Sequence, residues 1–304
     1  MSTKEVAPVV VGLDGSAGSR LALDWAIDDA ARRGRPLLLL SAWQFDTPEV
    51  GNSLLPSVTD ECRSVLDAGE AHVRSVAPRV TVQSSVVHAH PTAALVEASR
   101  DADSVVVGSR GLGTARELLI GSISMQLASY ALCPVVVVRE SSSPRGEPGR
   151  VVVGVDGSDL SSDATGYAFE QAARRGVGLT VVHGWDPSFY TSSVALSALE
   201  ESWNDLESGQ LLLTSEAVAA WADKYPDVDV QSQVGPGRPA DLLVEASVGA
   251  ELLVVGSRGR GGFAGLLLGS VSRSVLHRAQ CPVAVVRPSR FPGPSAGPEP
   301  RRSP

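Results

Sequence analysis

The chain alternates between short apolar runs and longer segments in which apolar residues recur every three or four positions. The short runs are typical of strands buried on both faces of a parallel sheet, and the longer segments are typical of amphipathic helices. The pattern predicts strands at 9–13, 37–42, 80–87, 104–107 and 134–138, and helices at 16–33, 60–77, 92–100 and 122–131. Strands that alternate with helices in this way indicate right-handed crossovers and an α/β fold.

Two sequence runs occur twice in the chain. VVVGLDGS at 9–16 returns as VVVGVDGS at 151–158, and VVVGSRG at 105–111 returns as LVVGSRG at 253–259. The spacing between the two runs is six residues longer in the second copy, and we place this insertion between its second strand and second helix. We predict a domain at 1–140, a Ser-, Pro- and Gly-rich linker at 141–150, a second domain at 151–288 and a disordered tail at 289–304.

Each copy carries the spacing Gly-x-x-Gly, nine residues, Gly-Ser just after its fourth predicted strand. Glycines let the backbone approach a ligand with no Cβ in the way. The final Gly-Ser opens a predicted helix, whose N–H groups and dipole attract anions. Serine hydroxyls in the first turn add further donors, at Ser122, Ser124, Ser270 and Ser272. The spacing therefore predicts a polyphosphate site in each copy.

Asp14 and Asp156 end the first strand of each copy, at the sheet edge where we expect the glycine loop. If strands one and four are neighbours, the strand order reverses between them, and ligands bind at such a switch point. The carboxylate could accept hydrogen bonds from a ribose or help to hold Mg²⁺. The alternative is that Asp-Gly-Ser serves only as a turn and helix cap. Two copies with the full spacing favour binding.

Competing nucleotide motifs do not fit the sequence. There is no Gly-x-x-x-x-Gly-Lys-Ser/Thr loop, and the dinucleotide-like start at Gly111 and Gly113 has Arg116 in place of the third glycine. Arg110 and Arg258, inside the glycine loops, either contact phosphate or point into water. No nucleophile–base pair recurs in both copies.

The strand end Val-Gly-x-Asp-Gly-Ser and the loop Gly-2x-Gly-9x-Gly-Ser together resemble the ATP-binding class of the universal stress protein family, in its tandem form, over nearly all of 9–287. The resemblance implies two Rossmann-like domains, each a five-stranded parallel sheet of order 3-2-1-4-5 flanked by helices. It implies ATP with Mg²⁺ in each half, with Asp14 and Asp156 at the ribose. Ala42 and Gly184 would lie at the adenine, where family members usually have a larger apolar residue.

The expected nucleotide-binding residues form two matching sets. Those of the first copy are Gly12, Asp14, Ala42, Gly108, Ser109, Arg110, Gly111, Gly113, Gly121, Ser122, Ile123 and Ser124. Those of the second copy are Gly154, Asp156, Gly184, Gly256, Ser257, Arg258, Gly259, Gly261, Gly269, Ser270, Val271 and Ser272. Asp14 and Asp156 are also the candidate Mg²⁺ ligands. The family pairs its domains through the fifth strand, which implies a homodimer or an intrachain pseudo-dimer through 135–138 and 283–286.

Composition narrows the class of protein. The 304 residues carry a net charge of -8, which argues against a nucleic-acid binder. No apolar stretch approaches the ~20 residues of a membrane helix, and no signal-peptide pattern precedes the first strand. The three cysteines are too few for a disulfide framework and indicate a reducing compartment. We expect a cytoplasmic protein that binds neither nucleic acid nor membrane.

Three functions are consistent with this sequence. The first is an ATP-binding stress-response or signalling protein with one nucleotide site per domain. The second is a slow ATPase or a nucleotide hydrolase or transferase of the same broad fold, and the third is a structural dimer module whose loops bind nothing. The missing nucleophile–base pair favours a binding protein over an enzyme.

Overall fold

The computed structural model describes residues 6–44, 48–111, 120–139, 149–185, 199–259 and 267–287. The first half contains β1 Val9–Gly12, α1 Ala17–Arg33, β2 Leu37–Trp43, α2 Pro48–Val76, β3 Val82–His88, α3 Pro91–Ala98, β4 Ser104–Gly108, α4 Ser122–Tyr130 and β5 Val135–Val138. The second half contains β6 Val151–Gly154, α5 Asp159–Arg175, β7 Leu179–Trp185, α6 Leu199–Ala222, β8 Val230–Pro236, α7 Pro239–Ala246, β9 Leu252–Gly256, α8 Ser270–Arg278 and β10 Val283–Val286.

Each half is a five-stranded parallel sheet, and the strand order within each half is 3-2-1-4-5. The predicted α/β fold and strand order are therefore confirmed. The first strand of each half pairs with both the second and the fourth, so the predicted neighbour relation between strands one and four is correct. The inner strands are apolar along most of their length because helices cover both faces of the sheet, whereas the edge strands β3 and β8 carry exposed polar residues such as Gln83 and Gln231.

Local sequence signals explain the ends of the first helix in each half. The Ser16 hydroxyl oxygen accepts a hydrogen bond from the Ser19 N–H at 3.1 Å, and Ser158 caps α5 in the same way. Gly34 and Gly176 end these helices with φ values of +59° and +67°, in the left-handed region that favours glycine. The predicted helix at 16–33 is thus confirmed to within one residue.

The second helix begins earlier than predicted. We expected it to start at residue 60, but α2 starts at Pro48 and continues through Pro56. A proline normally marks a helix boundary because it lacks an N–H donor, which is why the sequence pattern underestimated this helix. The insertion predicted after β7 lies largely outside the described residues, as do the predicted tail and most of the predicted linker.

The two halves join into one ten-stranded sheet through their fifth strands. β5 and β10 run antiparallel, with Val135 opposite Val285 and Val137 opposite Val283. All residues of both strands are buried. The pairing predicted for the fifth strands is therefore present within one chain, and it covers two apolar edges that would otherwise invite aggregation.

A buried polar cluster joins α1 and α5 across the same junction. Asp29 accepts hydrogen bonds from Gln171 Nε2 at 2.9 Å and Arg33 Nη1 at 3.2 Å, and Arg175 Nη2 lies 3.6 Å from the same carboxylate. Gln171 is the counterpart of Asp29 in the repeat. If both halves had an aspartate at this position, two carboxylates would face and repel each other. Here the Gln171 amide instead donates a hydrogen bond to the Asp29 carboxylate, which favours packing of the first half against the second.

Among the described residues, no helix has both the length and the apolar character needed to cross a bilayer.

Candidate nucleotide-binding crevices

A crevice lies at the carboxyl ends of β1 and β4 in the first half, where the strand order reverses. Its volume is about 100 Å³. The residues that line it are Gly12, Leu13, Asp14, Ser19, Leu40, Ala42, Pro91, Leu95, Val107, Gly108, Arg110, Gly111, Ile123 and Ser124. Eight of these are predicted site residues, and the fold therefore brings three separate sequence regions together. The crevice is smaller than the roughly 300–1,000 Å³ of typical ligand pockets.

The aspartate after the first strand contacts the second glycine of the loop in both halves. Asp14 Oδ1 accepts a hydrogen bond from the Ser16 N–H at 3.0 Å, which holds the carboxylate in a local turn. Its other oxygen lies so close to Gly111 that a Cβ there would overlap it. Asp156 and Gly259 repeat this contact. The turn and the binding interpretation of Asp-Gly-Ser are thus compatible, because the turn aims one oxygen at the glycine loop.

The first glycine of the loop is required by close backbone packing. A Cβ at Gly108 would lie 2.6 Å from the carbonyl oxygen of Gly18, in the first turn of α1. A Cβ at Gly18 would in turn overlap the carbonyl oxygen of Arg110. Gly18 was not among the site residues that the sequence pattern predicted. Its signal was a glycine placed unusually early in a helix, and the repeat has Leu160 at that position.

The first turn of the fourth helix presents backbone donors to the crevice. Gly121 and Gly269 are N-caps that provide no side-chain cap. Their own N–H groups donate to the Ser109 and Ser257 carbonyl oxygens, at 2.7 and 2.8 Å. The backbone N–H groups that have no acceptor inside the helix are therefore those of the residues after the glycine, such as Ser122 in the first half. The final glycine of the motif ties the helix start to the loop, and the residues after it can face a ligand.

The buried serines of this turn have a different role from the one we predicted. The Ser124 hydroxyl donates to the Gly108 carbonyl oxygen at 2.8 Å, and the Ser272 hydroxyl donates to that of Gly256 at 2.6 Å. Each hydroxyl hydrogen is thereby used within the protein, so these serines fix the helix start against the end of the fourth strand. Ser122 and Ser270, by contrast, are exposed.

The two halves differ at the end of the second strand. Ala42 lines the first crevice. At Gly184 a Cβ would lie 2.8 Å from Leu242 Cδ1 and 3.0 Å from Pro239 Cα, so neighbouring atoms already occupy that space. Leu242 replaces Ala94 of the first half. The two halves are therefore not equivalent at the position expected to meet the base.

Arginines add positive charge beside both glycine loops. Arg110 and Arg258 are exposed. Burial lowers the pKa of Arg139, and the positive charge of Arg110 lowers it further. Burial and the positive charge of Arg258 likewise lower the pKa of Arg287. Arg139 also crosses the junction and donates to the carbonyl oxygen of Ala279 at 2.8 Å, near the end of α8. An anionic partner would offset the mutual repulsion of these positive charges.

The remaining predicted residues are placed as follows. Gly12 and Ile123 line the first crevice, and Gly154 and Val271 hold the matching positions of the repeat. Gly113 and Gly261 lie outside the described residues. In the part of the chain that the structure describes, no group of three or more His, Cys, Asp or Glu side chains could hold a metal ion. A Mg²⁺ ion here would depend on phosphate and water ligands in addition to one carboxylate.

Fold and crevices together define a tandem Rossmann-like α/β protein. The model of the universal stress protein family matches the chain twice, at residues 6–139 and 148–287. The chain therefore belongs to the universal stress protein family, in its two-domain form, and the predicted resemblance is confirmed.

Similar proteins share the whole architecture. Universal stress protein Rv2005c of Mycobacterium tuberculosis is 40% identical over 291 residues, which cover 92% of this chain and 97% of that protein. Universal stress protein Rv2623 of the same species is 38% identical over 297 residues, covering 92% and 96%. The crystal structure of a universal stress protein from Archaeoglobus fulgidus superposes with a TM-score of 0.70 at 20% identity, covering 93% and 98%. This last likeness supports the fold.

Proposed function

We propose that the protein is a nucleotide-binding regulator of the stress response that holds ATP, with its phosphates at the first turns of α4 and α8. The observation that carries the proposal is the contact between Asp14 and Gly111, repeated by Asp156 and Gly259. In both halves this contact sets a carboxylate beside a glycine loop and an uncapped helix start. Backbone N–H groups and the helix dipole suit phosphate, and a carboxylate suits ribose hydroxyls.

The described residues fit the parts of ATP unequally. The helix start and the arginine pair suit the phosphates. The first crevice, at about 100 Å³, encloses only part of a nucleotide, and the rest of the ligand would lie along the open edge of the sheet unless the crevice widens. The end of the second strand is the apolar wall nearest the expected base, and it is more open at Ala42 than at Gly184. We therefore expect the first half to bind the nucleotide more tightly.

The Asp14 and Asp156 carboxylates suit a ribose better than a direct metal contact. One oxygen of each already accepts a backbone N–H, and the other lies against a glycine. Mg²⁺ would accordingly reach the site with the nucleotide, held mainly by phosphate oxygens. The described lining of the first crevice contains one carboxylate and one guanidinium but no histidine, cysteine or lysine. This composition supports binding over hydrolysis.

Thermal unfolding with added nucleotide tests the proposal. At a ligand concentration of about 100 Kd, binding stabilises the folded state by roughly 2.7 kcal/mol, which raises Tm by several degrees. ATP with Mg²⁺ should produce this shift, and EDTA should reduce it. Asp14→Ala should weaken it, whereas Asp67→Ala, on the exposed face of α2, should not.

Two further measurements separate the competing functions. Mass spectrometry of small molecules released from gently purified protein would identify the nucleotide carried. Phosphate release that is abolished when Asp14 and Asp156 are both replaced by alanine would indicate the slow hydrolase instead. The absence of any thermal shift with millimolar ATP, ADP, AMP or cyclic AMP would overturn the proposal.

A further inference from the structure

A second cavity lies between α1 and α2 of the first half, and the nucleotide proposal does not use it. Its volume is about 430 Å³, within the range of small-molecule sites. Its apolar wall includes Leu13, Leu23 and Val65. Leu13 and Ser19 also line the crevice, so the cavity lies on the opposite side of the same turn.

The second half fills the corresponding space with an aromatic ring. Trp221, on α6, is only 4% exposed, and its indole packs on Gly166 of α5 so closely that a Cβ there would overlap the ring. The repeat places Val73 and Asp24 at these two positions in the first half. The same pair of helices therefore holds an indole ring in one half and leaves a cavity in the other.

The rim of the cavity carries a cation with a fixed position. Arg20 Nη1 donates to the Gly15 carbonyl oxygen at 2.7 Å, which holds the guanidinium beside the opening. In the described part of the chain, no carboxylate lies within ion-pairing distance of Arg20. His72 Nε2 and Asp24 Oδ1, 2.6 Å apart, form a hydrogen-bonded pair one helical turn along α1 from Arg20. Arg20 is thus the charge available to an anion.

We propose that this cavity binds a small planar aromatic molecule that carries a carboxylate. The ring occupies the space between α1 and α2 that corresponds to the position of Trp221 in the second half. The carboxylate pairs with the guanidinium of Arg20, which can present two N–H groups to it. The inference does not depend on nucleotide binding, because none of its evidence comes from the glycine loop.

Indole-3-acetate and indole are suitable probes, measured by saturation-transfer difference NMR on the full chain without nucleotide. For about a dozen heavy atoms, we expect a Kd of roughly 0.1–1 mM for indole-3-acetate. Arg20→Gln should weaken indole-3-acetate about threefold and leave indole unchanged, because only the acid uses the exposed charge. Equal effects on both probes would contradict the assigned carboxylate contact.

Filling the cavity provides the decisive comparison. Ala68 is exposed and lines the cavity, so Ala68→Phe should fold normally and remove the signal of both probes. Its counterpart in the second half is Glu216, and Glu216→Phe should bind like the wild type. The double change Asp24→Gly with Val73→Trp transfers the second-half ring into the first half and should also abolish binding.

Circular dichroism melting of each variant separates loss of binding from loss of folding. Binding that survives in a folded Ala68→Phe protein would overturn the proposal, as would an equal loss in Glu216→Phe. No binding of either probe to the wild type at 5–10 times the expected Kd, roughly several millimolar, would also overturn it. A failure of ATP to bind would leave every one of these outcomes unaffected.

Discussion

Replacing Gly111 with alanine tests the contact on which the proposed nucleotide site depends. A Cβ at this position would overlap Asp14 Oδ2, and Gly111 does not have a positive φ. The added methyl group therefore acts on the carboxylate and not through backbone strain. Since Asp14 is exposed and held by a local turn, it can rotate away, and we expect the protein to remain folded.

The expected loss follows from the role of the carboxylate. A hydrogen bond to a charged group contributes about 1.5–3 kcal/mol. If Asp14 accepts a hydrogen bond from the ribose, displacing it weakens ATP binding by roughly ten- to a hundredfold. Folding stability should change by less than about 1 kcal/mol, because no buried group loses a partner.

Isothermal titration calorimetry in an Asp156→Ala background isolates the first site. Gly111→Ala, Asp14→Ala and the double variant complete a double-mutant cycle. Both single changes should weaken binding by similar factors, and the double variant should bind like Asp14→Ala alone. Gly209→Ala is a matched control, because a Cβ at that glycine meets nothing within 4 Å.

The ATP affinity of the double variant, compared with those of the two single variants, decides whether Gly111 acts through the Asp14 carboxylate. Losses that add in the double variant would show that Gly111 and Asp14 act independently. A Gly111→Ala protein that binds ATP as well as the wild type would show that the carboxylate does not contact the nucleotide. A loss equal to that of Gly209→Ala would indicate a nonspecific effect of adding methyl groups.

Three further predictions concern the junction and the cysteines. Val285→Lys, at a strand position only 1% exposed, should lower the free energy of unfolding by at least about 3 kcal/mol in urea titrations; an unchanged midpoint would contradict the fifth-strand junction. Asp29→Ala should cost about 1–3 kcal/mol, because Gln171 loses its buried acceptor while Arg33 keeps Asp103 and Arg175 keeps Asp28; Asp24→Ala, at an exposed pair, should cost about 1 kcal/mol or less. Burial raises the pKa of the Cys281 thiol to about 12, so at pH 8 it stays protonated and should resist a thiol reagent until the protein unfolds, while partly exposed Cys62 reacts first. Rapid labelling of Cys281 in the folded state would show that this strand end opens.

Much of the fold was predictable because its signals are local. Ser16 and Gly34, which begin and end α1, lie within one helical turn of the backbone groups they affect. Buried strands are recognisable in the sequence as short apolar runs. The glycine spacing and the aspartate after β1 identified the sheet edge that forms the crevice, since parallel strands end together. The α2 start was wrong because a proline inside a helix is locally indistinguishable from a proline that begins one.

By itself, the sequence determined the repeat, the α/β class, the approximate strand positions and the sheet edge at which the crevice lies. Only the tertiary structure decided what those residues do. Ser124 donates to Gly108 across 16 positions, and Gln171 donates to Asp29 across 142. Propensity and periodicity act over a few residues, whereas the partner of a hydroxyl, an amide or a missing side chain depends on how distant segments pack. The tryptophan ring that packs on Gly166 in the second half, where the first half has a cavity, likewise depends on how two distant helices meet.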